Sequence, residues 1–335
     1  MSKKLLVVVG PTATGKTSLA LSLAKTHEGE LVSADSRQVY KKMDIGTGKD
    51  LPPNVKCQMS NVRLENMNVG YYEIDGVKIW GYDLVKPNEK FSVSQYVKVV
   101  RKIIKSIWQM KKLPILVGGT GLYIKAVLKE IPTLNIPPDT TLRKGLLKKV
   151  SVELFEILAG LDPMKAASLN TSDRKNPRRL IRAIEIASYK IKEGEKQNSD
   201  RRFIIDSALK IGLTAPKEFL ASRVKKRVSL RINNGFEKEV KDIVGLGLNL
   251  SNQSMQSLGY KQFYRYLKGE CSVQDAVREW EQEEIKYVKR QLTWFNTDKE
   301  INWFDISLSN WSNEVENKVR KWHNKETKFF KARGD

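Results

Sequence analysis

Cysteine and histidine are almost missing from this chain. Its 335 residues include two cysteines, Cys57 and Cys271, and two histidines, His27 and His323. The cysteines are far apart and lack CxxC spacing, so neither a disulfide framework nor a zinc site is implied. Neither histidine lies near a nucleophile motif, which argues against triad chemistry. The chemistry is left to carboxylates, hydroxyls, lysine, arginine and a metal. No segment reaches about 18 uninterrupted apolar residues, so no membrane span is expected. The start, Met1-Ser2-Lys3-Lys4, runs directly into a five-residue apolar stretch. That stretch is too short for a signal-peptide core, and a cytoplasmic protein is expected. Repeats and low-complexity tracts are also lacking. Negative charge is in deficit: 38 Asp+Glu face 60 Lys+Arg, a net charge of +22. An excess of that size favours a nucleic-acid partner over a merely solvated basic surface. Hydrophobic residues make up 40% of the chain, enough for a core.

The most specific stretch present is Gly10-Pro11-Thr12-Ala13-Thr14-Gly15-Lys16-Thr17. It follows the apolar run Leu5-Leu6-Val7-Val8-Val9 and precedes a helix-like segment. Strand, glycine-rich loop and helix with GxxxxGK[ST] spacing are the signature of a phosphate-binding loop. Backbone N–H groups converge on phosphate oxygens, and the new helix points its positive end at them. Lys16 adds a point charge, and the Thr17 hydroxyl is the candidate ligand for Mg2+. The motif does not say which phosphate is held.

A second apolar strand, Glu30-Leu31-Val32-Ser33-Ala34, ends at Asp35-Ser36-Arg37-Gln38. Groups just past the carboxyl ends of such strands line the ligand crevice. Asp35 therefore belongs on the same rim as the loop, with a helix N-cap as the plainer role. A glycine-rich stretch, 43–48, follows. Residues 51–82 read as an edge insertion holding a hairpin turned at Asp75-Gly76. A helix ending near 112 precedes the strand Leu113-Pro114-Ile115-Leu116-Val117, which delivers Gly118-Gly119-Thr120 to the rim. Prolines at 132, 137 and 138 mark a linker. Beyond it, 141–150, 151–160, 162–168 and 178–192 read as helices without a strand. The last begins with Arg178, Arg179 and Arg182, where acids are usually preferred, which suggests an external anion. A strand at 207–213 and a helix carrying Arg223 resume the core. In 273–295 the aromatic stripe reads as core rather than as a base-stacking platform. The basic tail, 318–335, reads as an amphipathic helix.

The expected architecture is an α/β protein: a P-loop NTPase-like parallel sheet flanked by helices, with an inserted all-helical subdomain. Residues 1–135 form the first part of the core, 136–204 the helical insertion, and 205–335 the remainder with carboxyl-terminal helices. The strand at 113–117 ends in Gly-Gly-Thr rather than in the acid that an ordinary NTPase uses for Mg2+. That departs from a small-metabolite kinase.

Seven stretches in order resemble the tRNA dimethylallyltransferases, the isopentenyltransferases that modify adenosine 37. They are residues 10–17, Ser33 to Tyr40, Met43 to Thr47, Leu116 to Tyr123, Asn176 to Arg182, Leu258 to Gln262 and Lys289 to Trp294. The resemblance implies that the loop holds the diphosphate of dimethylallyl diphosphate. It implies that Asp35 is the base that takes a proton from adenine N6, and that Thr12, Lys16 and Arg223 stabilise the leaving diphosphate with Mg2+ near Thr17. It also assigns tRNA contacts to Asp35, Ser36, Arg37, Gln38, Thr120, Arg143, Arg178, Arg179, Leu180, Ile181, Arg182, Gly259, Tyr260, Lys261, Lys289, Arg290, Gln291 and Trp294. The implied partner is the anticodon stem-loop of tRNA, clasped by the helical insertion of a monomeric enzyme. Family members commonly carry His-His-Leu-Ile-Asp where this chain has Trp80-Gly81-Tyr82-Asp83-Leu84. A P-loop kinase, an adenylate isopentenyltransferase and a non-catalytic RNA-binding protein are the alternatives. The helical insertion and its arginines argue against a substrate as small as AMP.

Overall fold

The computed structural model describes residues 2–64, 67–194 and 203–325. The chain divides into two units, 1–129 with 203–335, and 130–202.

The first unit is built on one eight-stranded sheet. Its strands are β1 (Lys4–Val9), β2 (Gly29–Ser33), β3 (Gln58–Leu64), β4 (Met67–Ile74), β5 (Val77–Trp80), β6 (Leu113–Gly118), β7 (Ser207–Thr214) and β8 (Ile301–Asp305). The spatial order is β3-β4-β5-β2-β6-β1-β7-β8. From β5 to β8 all neighbours are parallel. Leu5 to Val9 are buried on both sides, as a parallel strand covered by helices requires. The helices α1 (Lys16–Thr26), α2 (Val93–Gln109) and α3 (Gly121–Leu128) cross between strands of this half. A capping box at Ser92 and Gln95 starts α2, and its apolar face is buried from Tyr96 to Ile107.

The stretch 51–82 is continuous with this sheet rather than a separate appendage. β5 pairs in parallel with β2, and β4 folds back on β5. Asp75 and Gly76 both have positive φ, 50° and 77°, the backbone of a type I′ turn. β3 extends the edge, and β8 closes the opposite one against β7. Neither β3 nor β8 was anticipated from the sequence. Each is an edge strand of mixed polarity, without an apolar run to announce it.

The other helices of this unit are α9 (Lys217–Asn233), α10 (Phe236–Gly245), α11 (Tyr260–Leu267), α12 (Val273–Phe295) and α13 (Trp311–His323). Trp280 and Phe295 of α12 are buried, so the aromatic stripe is core. Among the described residues of the basic tail the helix runs to His323, and residues 326–335 lie outside the described residues. β1 lies between β6 and β7, while the chain leaves β1 through α1 for β2 on the far side of β6. That reversal of strand order opens a crevice at the carboxyl ends of β1 and β6.

The second unit contains α4 (Thr140–Leu146), α5 (Ser151–Leu161), α6 (Pro163–Ala167), α7 (Thr171–Arg174) and α8 (Pro177–Glu193). Its core includes Leu146, Leu154, Leu158, Leu180, Ile181 and Ile184. Leu180 and Ile181 are thus committed to packing, which corrects their assignment as tRNA contacts. Arg143 is also occupied: its Nε and Nη2 donate to the buried Glu185 carboxylate at 2.6 and 2.7 Å. Arg182 Nη2 donates to the carbonyls of Thr133 and Ile136, both at 2.8 Å. Those bonds tie residues 133–136 to α8 within this unit. Arg178 and Arg179 remain exposed at the start of α8, although Arg179 pairs with Asp173.

Arg143→Ala leaves the buried Glu185 with Arg182 and the Asp139 N–H. The expected cost is about 2 kcal/mol, less than for a fully buried pair because Arg143 is partly solvated. Amide exchange across 177–193 is the measurement, with protection falling roughly 30-fold. Unchanged protection would show that the pair contributes nothing.

Candidate active site

The crevice holds a cavity of about 380 Å3. Its floor is the loop between β1 and α1. Ala13 sits there at φ 64°, in the left-handed region rare for a residue with a Cβ. Thr14 and Lys16 both donate to the Pro11 carbonyl, at 2.8 and 2.6 Å, which curls the loop on itself. Lys16 and Thr17 line the cavity, so the expected phosphate and metal groups face it. Burial and the neighbouring Arg227 guanidinium pull the Lys16 ammonium down to about 7, against the opposing pull of Asp35 and Glu284.

α9 and α12 grip the loop from above. Arg227 Nη1 donates to Thr12 Oγ1. Gln291 accepts from Thr12 N through Oε1 at 2.9 Å and donates from Nε2 to Gly119 O at 3.0 Å. One amide side chain therefore joins the loop after β1 to the loop after β6. Position 119 must be glycine for this: a Cβ there would sit 2.2 Å from Gln291 Nε2. Gln291 is buried, lines the cavity and ties the two loops together.

Arginine enters the cavity from one helical turn further along α9 than expected. Arg223 is exposed and donates from Nε to Ala13 O at 2.7 Å, on the outer side of the loop. Arg227 and Arg231 line the cavity instead, four and eight residues on and so along the same helical face. Arg231 is buried, and burial with Arg227 nearby pulls it down to about 10. Its Nη1 reaches Glu284 at 3.4 Å, while its Nε has no hydrogen-bond partner among the described residues. Neither residue was singled out from the sequence, where 223–231 reads as one undivided basic run.

The opposite wall comes from the exit of β2. Asp35 lines the cavity, and its Oδ1 accepts from Arg37 N at 2.8 Å. Thr120 does not line the cavity; its Oγ1 accepts from Ser36 N at 3.0 Å and fixes the 35–38 segment. Gln38 accepts from Ser33 Oγ and donates to Gly48 O at 2.8 Å. Tyr287 of α12 lines the same cavity as Asp35. Burial and the Asp35 carboxylate push its phenol well above the ordinary range. Glu284, Tyr287 and Gln291 follow at spacings of three and four, so one stripe of α12 faces the cavity.

Other expected contacts scatter. Gly259 and Tyr260 are buried, and the Tyr260 hydroxyl donates to Glu239, so neither is open to a nucleic acid. Gln256, Ser257 and Leu258 line the cavity just before them. Arg290 lines it as well, Lys261 and Lys289 are exposed, and Trp294 lies across Gly121 outside it. Arg37 Nη1 donates to Gln253 O at 2.9 Å.

The model of the IPP transferase family matches residues 38–298, and that of the isopentenyl transferases matches residues 3–69. The chain belongs to the IPP transferase family. It is 38% identical to the tRNA dimethylallyltransferase of Halothermothrix orenii over 92% of this chain and 89% of that protein. The corresponding protein of Anoxybacillus flavithermus is 36% identical, over 92% of each chain. The solved tRNA isopentenylpyrophosphate transferase of Bacillus halodurans superposes with a TM-score of 0.66 at 32% identity, covering 96% of this chain and 97% of that one. A eukaryotic dimethylallyltransferase crystallised acting on tRNA shares the fold, with a TM-score of 0.74 at 22% identity, over 98% of this chain and 81% of that one.

The depressed Lys16 gives a pH signature. With its proton affinity near 7, the free lysine is mostly neutral at pH 8.5 and mostly charged at pH 6. An anion on the loop favours the charged form, so binding inorganic pyrophosphate at pH 8.5 should take up close to one proton more than Lys16→Arg takes up. The arginine keeps its charge throughout, so the comparison cancels the ligand's own titration. Calorimetry in buffers of different ionisation heat measures the difference, which should vanish at pH 6. An equal uptake by both proteins at pH 8.5 would exclude a depressed lysine.

Proposed function

We propose that this chain transfers a dimethylallyl group from dimethylallyl diphosphate to N6 of adenosine 37, in tRNAs reading codons that begin with U. Diphosphate is released. The observation that carries the reading is the meeting in one cavity of Asp35 with Lys16, Arg227 and Arg231.

Adenine N6 is a weak nucleophile because its lone pair is delocalised into the ring. Its attack on C1 of the prenyl group forms a C–N bond as the C1–O bond breaks. Asp35 takes the proton released from nitrogen. The loop amides, the Thr12 hydroxyl, Lys16 and Arg227 hold the departing diphosphate, whose charge grows as the bond breaks. The unpartnered Arg231 Nε suits the same anion. Arg223, held on the loop's outer side, serves it from the rim. Gly10, Pro11, Ala13, Thr14 and Gly15 shape the cradle.

Mg2+ fits this site as an ion held mainly by substrate oxygens. Among the described residues no group of three or more His, Cys, Asp or Glu could hold a metal, while the Thr17 hydroxyl lines the cavity. Mg2+ commonly keeps few protein ligands and takes the rest from phosphate and water. When bound it would supply charge neutralisation at the diphosphate.

The target base must leave its stack to reach the cavity, at a cost of a few kcal/mol that is smaller in a loop than in a duplex. Arg37, Gln38 and Arg290 line the cavity where a flipped base would enter. Exposed Arg178, Arg179, Lys261 and Lys289 would serve the RNA backbone, so affinity for the anticodon stem-loop would fall steeply with salt. The helical unit is assigned to tRNA binding, the enzyme to the monomeric state, and its workplace to the cytoplasm. No helix among the described residues is long and apolar enough to cross a membrane.

Purified protein, Mg2+, labelled dimethylallyl diphosphate and a tRNA carrying A36-A37 should yield labelled tRNA. Asp35→Ala should lower turnover by about 10²- to 10⁴-fold, the span of a lost general base, while tRNA binding is retained. Label on AMP but not on tRNA would overturn the assignment.

A further inference from the structure

The cavity wall beside the arginines is an irregular loop, residues 43–48. It has no helix or strand to hold it, yet Gly46, Thr47 and Gly48 all face the cavity. What holds it is Glu239 of α10. One carboxylate accepts three successive backbone N–H groups: Asp44 N at 2.7 Å, Ile45 N at 2.8 Å and Gly46 N at 2.9 Å. The Tyr260 hydroxyl is the fourth donor. Four donors fill the acceptor positions of an ionised carboxylate. Glu239 therefore has no lone pair to spare for chemistry, and it does not line the cavity.

The clamp sets how closely the loop lies on its neighbours. A Cβ on Gly46 would meet Phe236 and Tyr260 at 2.3 and 2.4 Å. Gly48 lies against both cavity arginines: a Cβ there would be 2.1 Å from Arg227 Nη2 and 2.3 Å from Arg231 Nη2. The backbone of Gly48 is thus a wall against which the two guanidiniums rest.

We infer that Glu239 is a positioning residue for the diphosphate, acting through the 43–48 loop on Arg227 and Arg231. This rests on the reading of the cavity as a prenyl-diphosphate site. Glu239→Gln keeps the shape but turns one acceptor into an NH2 group facing a backbone N–H. The loop loses its close seat, and the arginines lose their wall. Misplacing a binding group by about 1 Å can cost up to 10²-fold, so a roughly tenfold effect is expected.

Two measurements test this at a temperature where circular dichroism shows each protein folded. The dissociation constant of inorganic pyrophosphate, by calorimetry, should rise roughly tenfold in Glu239→Gln. In the prenyl-transfer assay the KM for prenyl diphosphate should rise with it, while the KM for tRNA stays within about twofold. A merely structural role lowers the active fraction and moves neither constant. Tyr260→Phe removes one donor of four and leaves the ring packed on Phe236; a rise of about threefold is expected, and this variant decides if Glu239→Gln does not fold. Wild-type constants in the folded variants would overturn the inference. A wild-type protein that binds pyrophosphate but transfers no prenyl group would overturn the proposed function, and the pyrophosphate constants would still decide the role of Glu239.

Discussion

Gln291 bonds to both lips of the crevice, and the site depends on that bridge. Loops after parallel strands have no partner of their own across a topological switch point. Here one buried amide satisfies a backbone N–H on one lip and a backbone carbonyl on the other. Losing either bond would leave a buried polar group unpaired, so the spacing between the lips is strongly held. The bridge also fixes the rotation of α12 about its own axis. Once Gln291 points inward, Tyr287 and Glu284 must do so as well, because they precede it at helical spacing. A single rotational setting thus delivers the phenol of Tyr287 to the cavity, the partner of Arg231 and the tie between the loops.

The second constraint is electrostatic. Lys16 and Arg231 carry charges that burial disfavours, and each is also pushed by Arg227. In the protein alone this arrangement is unfavourable, and Glu284 offsets only part of it. An anion with several charges reverses the balance, because the same low dielectric that penalises the cations strengthens their attraction to it. On the proposed function, the site is organised in advance around charge that arrives with substrate and grows as the leaving group departs. Asp35 is kept on the opposite side, where its backbone bond to Arg37 aims it without neutralising it.

Much of this was legible from residue order, and the remainder shows where such reading stops. The P-loop, the strand ending at Asp35 and the Gly-Gly-Thr exit of β6 are local motifs whose geometry follows from a few adjacent residues. Arg227 is not local. It lies in a helix with basic residues at 223, 225, 226, 227 and 231, and only packing against Thr12 and Gly48 selects which of them enters the cavity. Lys289, Arg290 and Gln291 are adjacent in sequence, but the helix turns them to different environments. Leu180, Ile181 and Arg182 directly follow a true surface cluster, Arg178 and Arg179, while Arg143 lies on α4. The sequence cannot show that the apolar pair fills a core, or that Glu185 and two carbonyls occupy the arginines.

The segment 80–84 braces the same region. It carries Trp80, Gly81 and Tyr82, followed by Asp83. Trp80 Nε1 donates to Glu30 at 2.8 Å, and Tyr82 lines the cavity. Asp83 accepts from Tyr72 and from the fully buried ammonium of Lys49, which also donates to Tyr40 O at 2.8 Å and to Asp44 at 2.5 Å. A buried ammonium with three acceptors is a weak source of stability, since desolvation offsets most of its attraction. Its value lies in geometry. Lys49 closes the carboxyl-terminal end of the loop that Glu239 seizes at its amino-terminal end. The loop is held by a cation at one end and an anion at the other. A sheet edge built around Trp80 and Tyr82 can therefore change its residues without releasing the wall on which Arg227 and Arg231 rest.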